Sequence, residues 1–585
     1  MPDPTPSALG ASDRGDRVRA ADRWAAFRAG FGPRVQGFLS QPEPRLPGDD
    51  VRGRQLMAGN LRLGGRLVEA NGRVPWDIPP PSEAFLEALH GFEWLDDLAA
   101  VGDAPARQVA QAWLSDWLRR YGRGRGPGWT PDLTGRRQIR WITHALFLMN
   151  GQETADGKSM FRALARQTGM LSSRWKQSSR GLPRFEALTG LIYSACALTG
   201  MRGHLRPALR ALARECAVEI DPSGGIVTRN PEELLEVFTL LTWIAAILKE
   251  TGKDPDPAVN TAILRIAPTL RSLRHADGGL ARMHGGGRGV PGRLDQALAQ
   301  SGVRPARVKG LAMGYARMSA RQVSVVIDAA PPMVGTRSFN AHASTLAFEM
   351  TNGRSPIIVN CGSGTRFGPD WRRAGRATAS HSTLSLQGYS SARLARGAIQ
   401  EEPERQNLVE GPEQVDVQES QMKTADGIVL SHDGWRRTHG LIHLRSLTLD
   451  HDGSLLRGED GLAAMTDEDR ATFDTLMMRL PGDLGLRYAV RFHLHPDVRA
   501  EIDLGGTAVS IQVDRTETWV FRATGDTTMT LEPSVYLDAG RLRPRATKQI
   551  VLSGRLTGYG SAVSWSLAKP VGYLPAPLYL SGPVD

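Results

Sequence analysis

The apolar residues of this chain change period once, and that change restricts the fold more than any motif does. Between about residue 85 and residue 280 they recur at helical spacing. Phe85, Leu89, Phe92, Leu95 and Ala99 form one stripe, Val109, Trp113, Trp117 and Tyr121 a second, and Ile139, Ile142, Leu146 and Met149 a third. Phe185, Leu188, Ile192, Ala195 and Leu198 continue the pattern, and residues 232–249 are apolar nearly all round, which places them in an interior. Loops such as YGRGRGPGW and LTGMRGHLRP interrupt at roughly regular intervals, so the helices pair antiparallel, as in an α/α toroid or solenoid. Beyond about residue 311 the period becomes two. Residues 323–327, 346–350, 384–386, 441–449, 489–494, 509–513, 518–522 and 550–552 alternate, with turn residues between them. Many short strands without intervening helices make an antiparallel sandwich.

A chain of 585 residues exceeds one ordinary core, so two domains or more are expected. Residues 1–80, rich in Pro, Gly and Arg, read as a mobile, irregular arm with short strands or turns near 51–68. The PPP at 79–81 closes it, and Ser82 fits an N-cap. The helical domain then spans 81–290, a linker 291–310 and the β-domain 311–585. The segment MHGGGRGVPGR at 283–293 fits a linker and a substrate-facing loop equally, and it lacks the GxxxxGK[ST] pattern of a phosphate-binding loop.

An apolar content of 41% with 23% charged residues is that of a folded globular protein and excludes a disordered one. The formal charge of +11, carried mostly by arginine, favours an anionic partner: nucleic acid, anionic lipid or an acidic polysaccharide. Genome base composition explains an arginine-rich chain equally well. No aromatic-basic module or recognition helix supports specific nucleic-acid binding. Three cysteines give no disulfide framework, and Cys196 and Cys216 fall on apolar helix faces. The N-terminus shows no apolar stretch of signal-peptide length. The apolar run at 234–248 is shorter than a membrane span and contains Glu236, so a buried helix is expected and no integral membrane segment.

Chemistry concentrates between residues 334 and 389. Two β-like runs begin beside histidines, His342 in NAHASTLAFEM and His381 in TASHSTLSLQG, separated by PIIVNCG and a loop with Trp371, Arg372, Arg373 and Arg376. Such groups on one sheet face can grip and deprotonate an acidic substrate. The patterns GxSxG, HExxH and DxDxDG are absent. In FHLHP, His493 and His495 share a strand face, which can hold a metal but more often is solvated.

These segments resemble the heparinase II/III family of polysaccharide lyases. The family's H-x-H-x-D-x-L-x-F reads here His342-Ala-Ser-Thr-Leu-Ala-Phe348, its Asp-Pro-Gly reads Asn360-Cys361-Gly362, and its A-H-N-T segment contains His381. In the helical half, ALHGFEWLDDL at 88–98 and GWTPDLTGRRQIRW at 128–141 are similar to family segments. The resemblance, over residues 85–585, implies an incomplete (α/α) toroid followed by an antiparallel β-sandwich, with a polysaccharide groove between them. It also implies cleavage of a uronate-containing acidic polysaccharide by β-elimination. That reaction needs a base for the C5 proton, an acid for the departing O4, and cationic or hydrogen-bonding groups on the carboxylate. The implied catalytic residues are His342, as base or carboxylate neutraliser, Arg376 and His381. Arg229 and Asn230 would join the carboxylate clamp, and His90, Trp129 and Trp371 would line the groove.

The departures are specific. GLPRFEAL at 181–188 and SGGIVTRNPEELLE at 223–236 lack the family's toroid tyrosine and histidine, leaving Tyr193, Tyr315 and Tyr389 as reserve proton donors. The family's metal positions read Ser344, Asn360 and His381, so no zinc and no other cofactor is expected. Arg229-Asn230-Pro231 also fits a plain helix start, with Asn230 as N-cap. Two readings follow: a lyase, or a non-catalytic glycan-binding or envelope-assembly protein on the same scaffold. Lyases of this kind meet their polymer in the envelope or outside the cell, whereas the N-terminal sequence favours a cytoplasmic chain. No feature assigns an oligomeric state.

Overall fold

The structure is a computed structural model that describes residues 19–45, 48–151, 154–254, 256–306, 308–395, 406–480 and 485–570. Its first half is an incomplete (α/α) toroid of paired helices and its second an antiparallel β-sandwich, as the switch of period requires. Helices Leu182–Ala197 and Pro231–Glu250 bury side chains on nearly every face. Helix Pro131–Thr143 approaches Leu182–Ala197 at backbone distance: a Cβ built on Gly190 would stand 2.5 Å from the Cα of Gly135. Short polar side chains start the helices. Ser82 accepts from the Phe85 amide, Asp103 from Ala106 and Asp256 from Ala258.

Two stretches differ from the sequence reading. The arm expected over 1–80 is, from residue 19 on, part of the toroid. Helices Ala20–Ala29 and Asp50–Met57 and the hairpin of Asn60–Leu63 with Arg66–Glu69 bury Ala26, Leu56, Leu61 and Leu63 in its core. Arg174 pairs with Asp22, and Arg45 with Glu250, fixing both ends of this region to helices. Residues 1–18, on which the leader reading rests, lie outside the described residues. The linker expected at 291–310 contains helix Arg293–Ser301, whose Leu294, Ala297 and Leu298 pack into the toroid core.

The sandwich is two eight-stranded sheets. One runs Val415–Gln421, Ala425–Trp435, Leu441–Asp450, Leu455–Ala463, Gly560–Ala568, Thr518–Thr524, Ala508–Gln512, Arg499–Asp503. The other runs Thr528–Tyr536, Arg545–Leu556, Leu486–Leu494, Ser355–Val359, Phe348–Asn352, Val323–Asp328, Tyr315–Ala320, and Leu384–Leu386 also pairs with Leu486–Leu494. Strand Leu441–Asp450 alternates strictly, buried at every odd position. Phe348 from one sheet stacks on Trp565 from the other, ring centroids 5.8 Å apart. The toroid core continues onto Met313, Tyr315 and Val326, so the two halves share a buried seam. Arg317 crosses it to the carbonyls of Ser272 and Arg274, and His275 Nδ1 lies 2.9 Å from Ser324 Oγ. Among the described residues, no helix is long and apolar enough to cross a membrane.

Candidate functional site

His342 stands just before strand Phe348–Asn352, and His381 just before Leu384–Leu386, so the sandwich brings the two together. His342 Nδ1 is 3.1 Å from His381 Nε2. His381 Nδ1 is 2.8 Å from the Ala377 carbonyl and must donate to it, which leaves Nε2 to accept from His342. The pair is therefore neutral and mutually bonded. Burial, and then the neighbouring His381, His284, Arg376 and Arg372, hold His342 well below the ordinary histidine range, and burial holds His381 down to about 4. Both side chains are buried.

A third histidine joins them. His284 Nδ1 accepts the His342 backbone N–H at 3.1 Å, so its proton sits on Nε2, 3.3 Å from Asp328 Oδ2. Asp328 is wholly buried, accepts from Ser344 Oγ at 2.7 Å and pairs with Arg229. Burial alone would raise this carboxyl, but Arg229 and His284 hold it well below the usual carboxylate range. His284 and Asp328 were not among the sequence candidates. His284 lies in the glycine-rich stretch that fitted a linker, and Asp328 ends a strand with no motif to mark it.

The arginines expected to clamp a substrate carboxylate are engaged elsewhere. Arg376 donates Nε to Ala341 O at 2.8 Å, Nη1 to Gln406 O at 2.5 Å and Nη2 to Ser338 O at 2.9 Å. It is buried and, among the described residues, has no carboxylate partner; desolvation lowers it to about 9. Arg229, in a left-handed backbone conformation at φ 52°, donates to the carbonyls of Met313, Gly314, Ala330 and Pro331 as well as to Asp328. It joins the toroid to the sandwich. Asn230 accepts the amides of Glu232 and Glu233 at 3.0 and 3.2 Å, so it is the N-cap of helix Pro231–Glu250.

The toroid aromatics are core. Trp129 is 0% exposed, stacks against Trp117 and donates Nε1 to Tyr121 O, which leaves no face for a sugar. His90 accepts from Trp117 Nε1 at 3.2 Å, and burial with the nearby Arg137 lowers it to about 3. These two placements correct the groove-lining roles that the resemblance implied. Trp371 is the exposed member of the set, at 39%. Of the reserve donors, Tyr193 and Tyr315 are buried and Tyr389 is exposed against the His439 ring. Tyr315 Oη donates to the Arg229 carbonyl.

Ser344, Asn360 and His381 are each bonded within the fold: Asn360 Oδ1 accepts the Ser382 amide at 2.9 Å, and Ser344 serves Asp328. Among the described residues, no three His, Cys, Asp or Glu side chains converge as metal ligands. His493 and His495 are buried rather than solvated. His493 bonds Ser534 Oγ and the Ala379 carbonyl, and His495 packs on Tyr536.

The family profile described as Heparinase II/III-like, C-terminal, matches residues 302–566. FtsZ-localized protein C of Caulobacter vibrioides (strain NA1000 / CB15N) is 31% identical over 547 residues, covering 92% of each chain. Among solved structures, Heparinase III superposes with a TM-score of 0.67 at 11% identity, over 97% of this chain and 87% of that one. Heparan sulfate lyase HepC (a mutant) from Pedobacter heparinus gives 0.56 at 14% identity, over 96% and 89%. At such identities these two are likenesses of fold.

Proposed function

This chain belongs to the heparinase II/III-like family, and from that premise we propose that it is a non-catalytic member, a binding protein of an envelope-building assembly that contains FtsZ. The observation that carries this reading is the engagement of Arg376 and Arg229. β-Elimination requires cationic or hydrogen-bonding groups free to neutralise a uronate carboxylate. Here all three Arg376 donor nitrogens go to main-chain carbonyls, and Arg229 goes to Asp328 and four carbonyls. His342 is also a weak base, because it is buried and its basicity is held well below the ordinary histidine range. A polysaccharide-lyase scaffold persists without lyase chemistry, since a fold does not fix a function. The name of the Caulobacter relative, which localises with FtsZ, supports the assembly.

Two measurements test the reading. Absorbance of the C4–C5 double bond is followed with a panel of acidic polysaccharides, with His342→Ala as control. A flat trace for both proteins is expected, and a rise abolished by His342→Ala would restore the lyase. Co-sedimentation with FtsZ polymers should bring the full chain into the pellet. A chain that stays in the supernatant at all FtsZ concentrations would remove the assembly role.

A further inference from the structure

Carboxylates from five toroid helices gather around Arg136 and Arg293. Glu87 comes from helix Glu83–His90, Glu93 from Glu93–Val101, Asp132 from Pro131–Thr143, Glu186 from Leu182–Ala197, and Glu232 and Glu236 from Pro231–Glu250. Arg136 stands among them, its Nε 2.7 Å from Glu186 Oε1 and its Nη1 3.9 Å from Glu87 Oε2. Arg293 pairs with Glu236. Six carboxylates thus gather around Arg136 and Arg293, in a chain whose overall charge is +11.

First-turn acids stabilise a helix by facing its dipole, and that accounts for Glu93, Asp132 and Glu232. It does not account for Glu87, Glu186 and Glu236, which lie beyond the first turn. Glu186 makes the stronger case. It is 9% exposed, and its Oε2 is buried with no hydrogen-bond partner, an expensive state for a carboxylate unless a donor arrives. Burial, and then the charges of Asp132 and Glu236, push it up to about 8 against the pull of Arg136. The face is also set against a polyanion: a uronate polymer laid across it would meet carboxylates.

We propose that this carboxylate-lined face of the toroid binds an arginine- or lysine-rich peptide segment of a protein partner. The proposal rests on the reading of the chain as a binding protein and names the chemistry of its ligand. Arg136 already places a guanidinium 2.7 Å from Glu186 Oε1, and the half-buried Asp132, Glu232 and Glu236 are the carboxylates that an incoming cation reaches. The carboxylates are spread over five helices, so a run of cations satisfies them where a single amine does not.

The test is fluorescence anisotropy of a labelled hexa-arginine peptide with the full chain, in low and high salt, with a hexaglutamate control. Glu186→Gln, Glu236→Gln and Asp132→Asn are compared, each checked for folding by circular dichroism. Saturable, salt-sensitive binding is expected, weakened about tenfold by the Glu236→Gln and Asp132→Asn changes together. Absence of binding at low salt, or equal binding by all folded variants, would overturn the proposal. A chitosan oligomer that binds while the peptide does not would overturn the peptide assignment. Failure here is separate from failure of the non-catalytic reading, which stands or falls on the absorbance trace.

Discussion

Arg229 illustrates how a charge that looks available in sequence is claimed by the fold. Its ion pair with Asp328 is buried and surrounded by carbonyls, so removing the cation leaves a carboxylate whose other partners among the described residues are Ser344 and His284. Arg229→Met is expected to lower unfolding free energy by about 3–5 kcal/mol in denaturant titration, and adding Asp328→Asn should return part of it. An arginine waiting for substrate in an open groove would cost less than about 1 kcal/mol on the same change. The residue scale is where the sequence was least legible. Motif order identified His342 and His381 and the structure does bring them together, but composition says nothing of which N–H groups the main chain will take. His284 was hidden because its neighbours are glycines. Only its place at φ 46°, with its ring turned to the His342 amide, makes it part of the cluster.

At the scale of elements the apolar period was a reliable guide, because burial of one face or all faces leaves a direct trace in sequence. Helix Arg293–Ser301 was missed although Leu294, Ala297 and Leu298 have helical spacing; the surrounding glycines and prolines outweighed three apolar residues. Strand Leu441–Asp450 was found, yet the inward direction of His443 and Arg445 was not. They bond Asp460, which also accepts the Trp565 indole N–H, in the sandwich core, and Arg445 reaches Leu346 O and Ser382 O on the facing side. Close packing of elements is equally silent. Gly190 faces Gly135 backbone to backbone, so Gly190→Ala should cost about 1–3 kcal/mol by forcing the helices apart. Gly203→Ala, where an added methyl meets open space, should stay within about 0.5 kcal/mol. Equal effects of the two in thermal or denaturant unfolding would contradict the helix contact.

For the whole molecule, the buried histidines set the response to acid. Burial lowers His90 and His493 to about 3 and His381 to about 4, while in the unfolded chain each titrates near 6.5. Between those values the unfolded state binds more protons than the folded one, so stability is full above about pH 6.5 and falls as pH drops towards 4. Each such histidine contributes up to about 1.4 kcal/mol per pH unit across that window. Glu349 follows at lower pH. Burial opposes its ionisation, but Arg282 and His275 hold it down to about 2, so its stabilisation is lost as pH falls from its unfolded value through 2. Glu186 acts in the opposite sense: raised to about 8, it favours the folded state below its unfolded value and loses that advantage as pH rises through 8. Urea midpoints between pH 4 and 8 should therefore drop steeply on the acid side, and His493→Gln should flatten that slope by one proton's worth. These histidines occupy both halves of the molecule, with His90 in the toroid and the others in the sandwich, so a shared fall would report the seam that joins them. An unchanged slope in the variant would mean that His493 titrates in the folded protein as it does in water.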